Sequence, residues 1–319
     1  MSARQGEYEC ELVVAARAEE ADGVISLTLR HPAGEELPAW EPGAHIDLDL
    51  ADGMVRQYSL CGRPDDRTAW QIAVLRESAG RGGSAYVHSG LTRGTPVRVR
   101  GPRNNFPLTL APHHLFVAGG IGITPILPML RAAETAGAEW TLLYGGRTRA
   151  SMAFAQRLGE YGAKVRIVPE DECGLLDLAG YLAGAGPGTL VYCCGPQPLL
   201  AAVEERCRTW PAGTLHVERF QARDTDPRTP SRSFELELRQ SGLTLTVAPH
   251  RSILQTVEAA GVQVLSSCTQ GTCGTCETDI IEGEADHRDS LLTAEEQAAH
   301  ETMMICVSRS RGARLVLDL

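Results

Sequence analysis

The chain has 319 residues, of which 43% are hydrophobic and 22% charged, and carries a formal net charge of −10. Its length exceeds what one hydrophobic core usually serves, so two or three domains are expected, and its composition excludes long disorder or a fibrous repeat. The acidic balance disfavours nonspecific binding to nucleic acid, whose phosphates would be repelled.

The N-terminus, MSARQGEYECE, lacks the basic start and apolar run of a secretory signal, so a cytoplasmic location is expected. Residues 1–107 then supply short β-rich runs, ECELVVAA, VISLTL, HIDLDL, RQYSL, WQIAVL and PVRVRG, divided by Gly, Pro and Asp turns. Runs of this length and spacing predict a small antiparallel β-barrel. Two motifs stand out in it, Arg56-Gln57-Tyr58-Ser59 and Gly80-Arg81-Gly82-Gly83-Ser84. The second has the small residues and the cation of a phosphate cradle. Singly, the first reads equally as an ordinary strand and the second as a flexible hairpin.

Residues 108–224 change texture. LFVAGG, WTLLYGG, AKVRIVPE and TLVYCCG alternate with helical segments such as PILPMLRAAETAG, which predicts a parallel α/β sheet. The glycines and prolines inside residues 115–130 argue against a membrane-spanning helix there. Gly119-Gly120-Ile121-Gly122-Ile123-Thr124-Pro125 joins a strand to a helix and would set backbone N–H groups against a pyrophosphate, although glycines also build plain tight turns. Cys194-Gly195-Pro196 ends another strand on the same sheet edge, so the two turns could face one ligand. Beyond the second strand, where dinucleotide sites often carry an acid for the ribose hydroxyls, stand Arg147 and Arg149. On charge alone that pair would welcome the extra phosphate of NADPH.

Residues 225–233 lie in a polar, proline-bearing stretch and are expected to be an interdomain linker. Residues 234–319 open with the strand pair FELELR and LTLTVA and the helix SILQTVEAAG, and Thr293 with Glu296 fits a capping box farther on. Between them lies the strongest signal in the chain: Cys268-x4-Cys273-x2-Cys276, then Cys306 after 29 intervening residues, is the plant-type 2Fe-2S spacing. The residues around these thiols are nearly all small, which lets amide N–H groups approach the sulfurs. Tetrahedral zinc is the alternative for four cysteines, but zinc sites usually pair two short C-x2-C knuckles. The other six cysteines are scattered and are expected to be reduced, mostly buried residues. This segment holds 13 Asp/Glu against 6 Arg, a local net of −7 that would steer a basic partner.

A hydride carries two electrons together whereas a 2Fe-2S cluster accepts one, so a chain with both sites needs a converter, and a flavin is one. RQYS, GRGGS, GGIGITP, CCGP and the cysteine loop, in that order, resemble the phthalate dioxygenase reductase family over essentially the whole chain. The resemblance implies an antiparallel flavin-binding β-barrel, a parallel α/β nucleotide-binding domain and a C-terminal β-grasp ferredoxin domain, with FMN, NADH and a 2Fe-2S cluster as cofactors. It assigns Arg56 and Arg81 to the FMN phosphate with Gly80, Gly82, Gly83 and Ser84 around it. Gln57, Tyr58, Ser59, Ala73 and Val74 become flavin contacts, and Thr124 the flavin edge nearest the nicotinamide. Gly119, Gly120, Gly122, Arg147, Arg149, Cys194, Gly195 and Pro196 fall to NADH, Cys194 lying beside the nicotinamide. Phe220, in Glu218-Arg219-Phe220, is assigned to the flavin, so that Ser59, Cys194 and Phe220 are the candidate catalytic residues. Leu75 stands where a basic residue is often found, which leaves the contacts of its strand open. The implied partner is a terminal oxygenase, Rieske non-haem iron or haem-thiolate, served by a monomeric reductase. The competing readings are an FAD-dependent ferredoxin-type reductase for another acceptor and a non-catalytic iron-sulfur redox sensor.

Overall fold

Six strands with alternating apolar residues build the first sheet: β1 (Glu9–Ala21), β2 (Val24–Arg30), β3 (Ala44–Asp49), β4 (Val55–Ser59), β5 (Trp70–Leu75) and β6 (Pro96–Asn104). The computed structural model describes residues 8–78, 80–222 and 231–319. The strands run antiparallel in the order β4-β3-β6-β1-β2-β5. Because strand side chains alternate between faces, Leu12, Leu27, Leu29, Ile46, Leu48, Ile72 and Val99 all turn to one side and are buried there together. The sheet curls until its edges meet, where Leu60 pairs with Ile72 and the Cys61 N–H donates to the Gln71 carbonyl at 2.8 Å. The expected barrel is therefore closed along a β4–β5 seam. Asp47 of β3, 1% exposed, ties three strands together by accepting from Arg100 (3.0 Å) and Arg103 of β6 and from Gln57 Nε2 of β4 (2.9 Å).

The second sheet is parallel: β7 (His113–Gly119), β8 (Glu139–Gly146), β9 (Val165–Pro169), β10 (Thr189–Cys194) and β11 (Leu215–Glu218), in the order β11-β10-β7-β8-β9. The chain starts in the middle, moves outward through β8 and β9, then returns to the other side of β7. That reversal places a topological switch point between β7 and β10, where open α/β sheets bind ligands at their carboxyl ends. Helices Ile123–Thr135 and Gln197–Cys207 follow β7 and β10. Val24, Cys61, Ala73 and Phe106 from the barrel side pack into the same core as Phe116, Ile123, Leu127 and Tyr192, and residues up to Glu218 form one compact unit.

The other unit, Arg219–Leu319, contains β12 (Phe234–Leu238), β13 (Leu243–Val247), β14 (Glu277–Glu282), β15 (Ala285–Asp286), β16 (Thr302–Met304), β17 (Arg309–Ser310) and β18 (Arg314–Leu317). Five of these form a mixed sheet, β13-β12-β18-β14-β16, with its first and last strands, β12 and β18, paired in parallel at the centre. Helix Ile253–Ala259 covers it, opened by a capping box of Ser252 and Gln255, and the expected box at Thr293 and Glu296 opens helix Ala294–Ala299. This is the β-grasp arrangement. The expected linker at 225–233 falls largely outside the described residues. Among the described residues, no helix is long and apolar enough to cross a membrane.

Truncating Asp47 leaves two buried-facing guanidinium groups without their carboxylate. Asp47→Ala is expected to lower barrel stability by about 3–5 kcal/mol, read as a fall in the denaturant midpoint followed by flavin release.

Candidate functional site

The phosphate cradle is a helix start. Gly82 adopts φ 82° and introduces helix Gly83–Gly90, whose first N–H groups are free to meet an anion. Arg56 of β4 lies across this loop, donating to the Arg81 carbonyl at 3.0 Å and to the Val55 carbonyl at 2.8 Å. A Cβ on Gly83 would stand 2.6 Å from Arg56 Nε, so glycine is what allows that arginine to cross. Burial and the neighbouring Arg81 both press the Arg56 guanidinium downward from its ordinary pKa, and among the described residues no carboxylate pairs with it. A guanidinium held across a helix N-terminus fits a phosphate. Ser84 accepts from the Glu77 N–H at 3.0 Å, which leaves its hydroxyl proton to donate.

The seam supplies the remaining flavin candidates. Tyr58 and Ser59 on β4 and Ala73 and Val74 on β5 approach one another where Leu60 meets Ile72, and burial raises the Tyr58 phenol to about 12. Strand alternation sends Gln57 the other way, to Asp47, so its side chain serves the barrel. The side chains of Ala73 and Val74 are in the two cores, and the Val74 carbonyl is held by His88 Nε2 at 2.9 Å. Phe220 lies beyond β11, 41% exposed, at the start of the second compact unit.

At the switch point two glycine-bearing turns meet in close contact. A Cβ on Gly122 would stand 2.3 Å from the Cys194 carbonyl oxygen, one on Gly119 2.6 Å from Pro196 Cδ, and one on Gly195 3.0 Å from Gly119 Cα. Gly120, at φ 53°, faces open space, and its carbonyl accepts from the Tyr144 hydroxyl at 3.2 Å. Three of these glycines thus serve turn-to-turn contact, and Gly120 faces outward. β5 runs alongside the Gly120–Gly122 turn, which brings the flavin strand to the nucleotide edge. Thr124 is buried and spends its hydroxyl on the Ile121 carbonyl at 3.0 Å.

Cys194 is fully buried, and its thiol donates to Glu218 Oε2 at 3.9 Å. The pairing of β10 with β11 sets these two residues side by side at the carboxyl edge. Burial pushes the Glu218 carboxyl up to about 8, and burial with Glu218 beside it drives the Cys194 thiol well above its ordinary range. In the sequence Glu218 stands out only as part of Glu218-Arg219-Phe220. Its signal was the β10–β11 register, which a separation of 24 residues conceals.

In the second unit the register Glu277↔Met304 places Cys276, just before β14, beside Cys306, just after β16. Cys268, Cys273, Cys276 and Cys306 are all under 10% exposed, and none is in a disulfide. The four thiols lie close enough to perturb one another's titration, with Cys268 and Cys276 lowered and Cys273 and Cys306 raised. The loop wraps these sulfurs in amides, with the N–H groups of Gln270 and Thr272 3.3 and 3.5 Å from Cys268 Sγ and that of Cys268 3.5 Å from Cys273 Sγ. Thr269, Gly271 and Gly274 take left-handed φ to make the wrap, and a Cβ on Gly271 would stand 2.6 Å from Val307. Among the described residues no three His, Cys, Asp or Glu side chains surround a single ion, and a two-iron centre, with two thiolates per iron, does not require them to.

Residues 236–311 match the model of the 2Fe-2S iron-sulfur cluster binding domain, and residues 116–169 that of the oxidoreductase NAD-binding domain. The chain is 43% identical over 321 residues to phenoxybenzoate dioxygenase subunit beta of Ectopseudomonas oleovorans, covering 100% of both, and 39% identical over 327 residues to phthalate dioxygenase reductase of Burkholderia cepacia, again covering 100% of both. It belongs to the phthalate dioxygenase reductase family. A solved structure of phthalate dioxygenase reductase superposes with a TM-score of 0.72 at 38% identity, covering 98% of each chain. An intact type IV self-sufficient cytochrome P450 monooxygenase superposes with a TM-score of 0.91 at 43% identity, and this chain, matched over 100% of its length, spans 43% of that longer one. As a member of the family the chain uses FMN, NADH and a 2Fe-2S cluster, and zinc is set aside.

A methyl group at Gly122 must part the two turns. Gly122→Ala is expected to retain flavin and cluster yet slow flavin bleaching by NADH about 100-fold, followed by stopped-flow absorbance. Glu218 keeps a proton in the folded chain between its ordinary 4.5 and about 8, so its contribution to stability is present at low pH and lost as pH rises through about 8. Thermal melting from about pH 5 to about pH 9 should fall less steeply in Glu218→Gln than in the wild type.

Proposed function

We propose that the chain is an NADH-dependent reductase that loads electrons in pairs at a flavin and delivers them singly, through its own 2Fe-2S cluster, to a terminal oxygenase. The observation that carries this is one compact unit in which the flavin seam, the phosphate cradle and the switch-point turns adjoin, followed by a β-grasp unit with four clustered thiols. When bound, FMN would supply two-electron hydride acceptance from NADH and the cluster one-electron transfer.

The chain's residues bind and orient. Arg56, Arg81 and the Gly83–Gly90 helix start neutralise the FMN phosphate, Tyr58 and Ser59 line the seam for its ring, and Phe220 is the candidate aromatic neighbour. The Gly120 turn receives the pyrophosphate, and Cys194 with Glu218 closes the edge beside the nicotinamide with a dry thiol and an uncharged carboxyl. A neutral wall suits a ring whose positive charge appears as hydride leaves. The domain limits proposed are 1–107, 108–224 and 234–319, with 225–233 as linker.

For the acceptor, a Rieske non-haem iron oxygenase fits relatives that are dioxygenase components over their full length, and a haem-thiolate enzyme is the second reading, favoured by the P450 fold match. The ferredoxin unit's 13 acids against 6 arginines suit a basic docking face on either. None of the ten cysteines is in a disulfide, which suits a reducing cytoplasm, and the chain is proposed to act as a monomer.

Anaerobic absorbance before and after NADH tests the whole reading: flavin and cluster bands should both bleach. Cys306→Ser is expected to lose iron and acid-labile sulfide while NADH still bleaches the flavin, and reduction of a one-electron haem acceptor should fall at least about tenfold. Zinc in place of iron in the wild type would overturn the proposal.

A further inference from the structure

Beyond the second strand of a dinucleotide-binding sheet, a carboxylate takes the adenosine ribose hydroxyls and a free arginine accommodates a 2′-phosphate. Here that position carries Arg147 and Arg149, which by sequence alone favours the phosphate. The neighbouring strand changes the balance. Glu170, Asp171 and Glu172 follow β9 directly, and the pairing of Gly146 with Pro169 brings them to the exit of β8. The Asp171 N–H donates to the Arg147 carbonyl at 3.2 Å, which pins the acidic turn to the arginine turn.

Arg149 then gives both arms of its fork to Glu172, Nε to Oε1 at 3.0 Å and Nη2 to Oε2 at 2.6 Å. A bidentate guanidinium has spent the geometry with which it would clasp a phosphate. Arg149 in turn holds the Glu172 carboxyl below its usual range, so it is ionised at neutral pH. A 2′-phosphate, itself carrying nearly two negative charges, would meet three carboxylates against two arginines and would have to evict Glu172.

We infer that Glu172, by filling the fork of Arg149, is the specificity-determining residue that selects a nucleotide with a free 2′-hydroxyl on its adenosine ribose. The inference rests on this sheet edge being the NADH site. Both side chains are about half exposed, 56% and 45%, so the pair contributes little to stability and either residue can be replaced without unfolding the unit.

Calorimetric titration of the flavin- and cluster-loaded protein with ADP-ribose and with 2′-phospho-ADP-ribose tests this by binding, independently of turnover. The wild type should bind ADP-ribose at least about tenfold more tightly. Glu172→Gln keeps the shape and removes the charge; it should narrow that ratio about five- to tenfold by tightening the phosphorylated ligand alone. The gain should vanish when Arg149→Ala is added. An unchanged ratio in Glu172→Gln, or a wild type that binds both ligands equally, overturns the inference and leaves the nucleotide site standing. A wild type that binds neither ligand overturns the site itself.

Discussion

The construction of the catalytic unit depends on two backbone turns that touch at the switch point of its parallel sheet. Gly122 lies against the Cys194 carbonyl at a distance that no Cβ could share, and Gly195 lies against Gly119 where a Cβ would be tightly crowded. Because the turns abut, the start of helix Ile123–Thr135, the buried thiol of Cys194 and the barrel strand β5 converge on one edge. Widening the contact would separate the elements that must face a single nucleotide and a single flavin. A glycine's missing side chain is here a spacing device, and its cost in chain entropy is offset by the packing it permits.

Much of this was legible beforehand because it is written in local patterns. The barrel strands alternate, the central parallel strands are short apolar runs ending in glycine, and the cysteine spacing specifies its own chemistry. What escaped depends on pairing between distant segments. Glu218 reaches Cys194 only through the β10–β11 register, and Glu172, which occupies Arg149, sits in the helical turn that follows β9. Gln57 was grouped with its neighbours in a linear motif, but alternation sends it to Asp47 while Arg56 and Tyr58 face the other way. Helix Gly83–Gly90 was equally hidden, since GSAYVHSG has poor helix formers and is held by Gly82 at its start and by the burial of Gly83 and Val87.

The cluster loop uses the same economy of side chains for a different end. Left-handed conformations at Thr269, Gly271 and Gly274 fold the chain tightly enough to direct several amides at two sulfurs. Negative charge on an iron-sulfur centre is stabilised by such donors, so the loop shapes the potential as well as the fit. The barrel, in contrast, manages charge with side chains, Asp47 answering two arginines on the face opposite Ile46 and Leu48, and Arg56 crossing the phosphate loop.

Val24, Cys61, Ala73 and Phe106 pack into the core of the nucleotide-binding sheet, whereas the β-grasp strands enclose a core of their own. In terms of gene architecture, the front half is indivisible: a barrel cut free would expose a greasy flank, and so would the sheet left behind. The rear half is a cassette. Recombination that moves the ferredoxin module carries a complete core with it, whereas flavin and nucleotide domains share one and must be inherited together, so lineages built on this plan should shuffle their electron outlets more readily than their electron inlets.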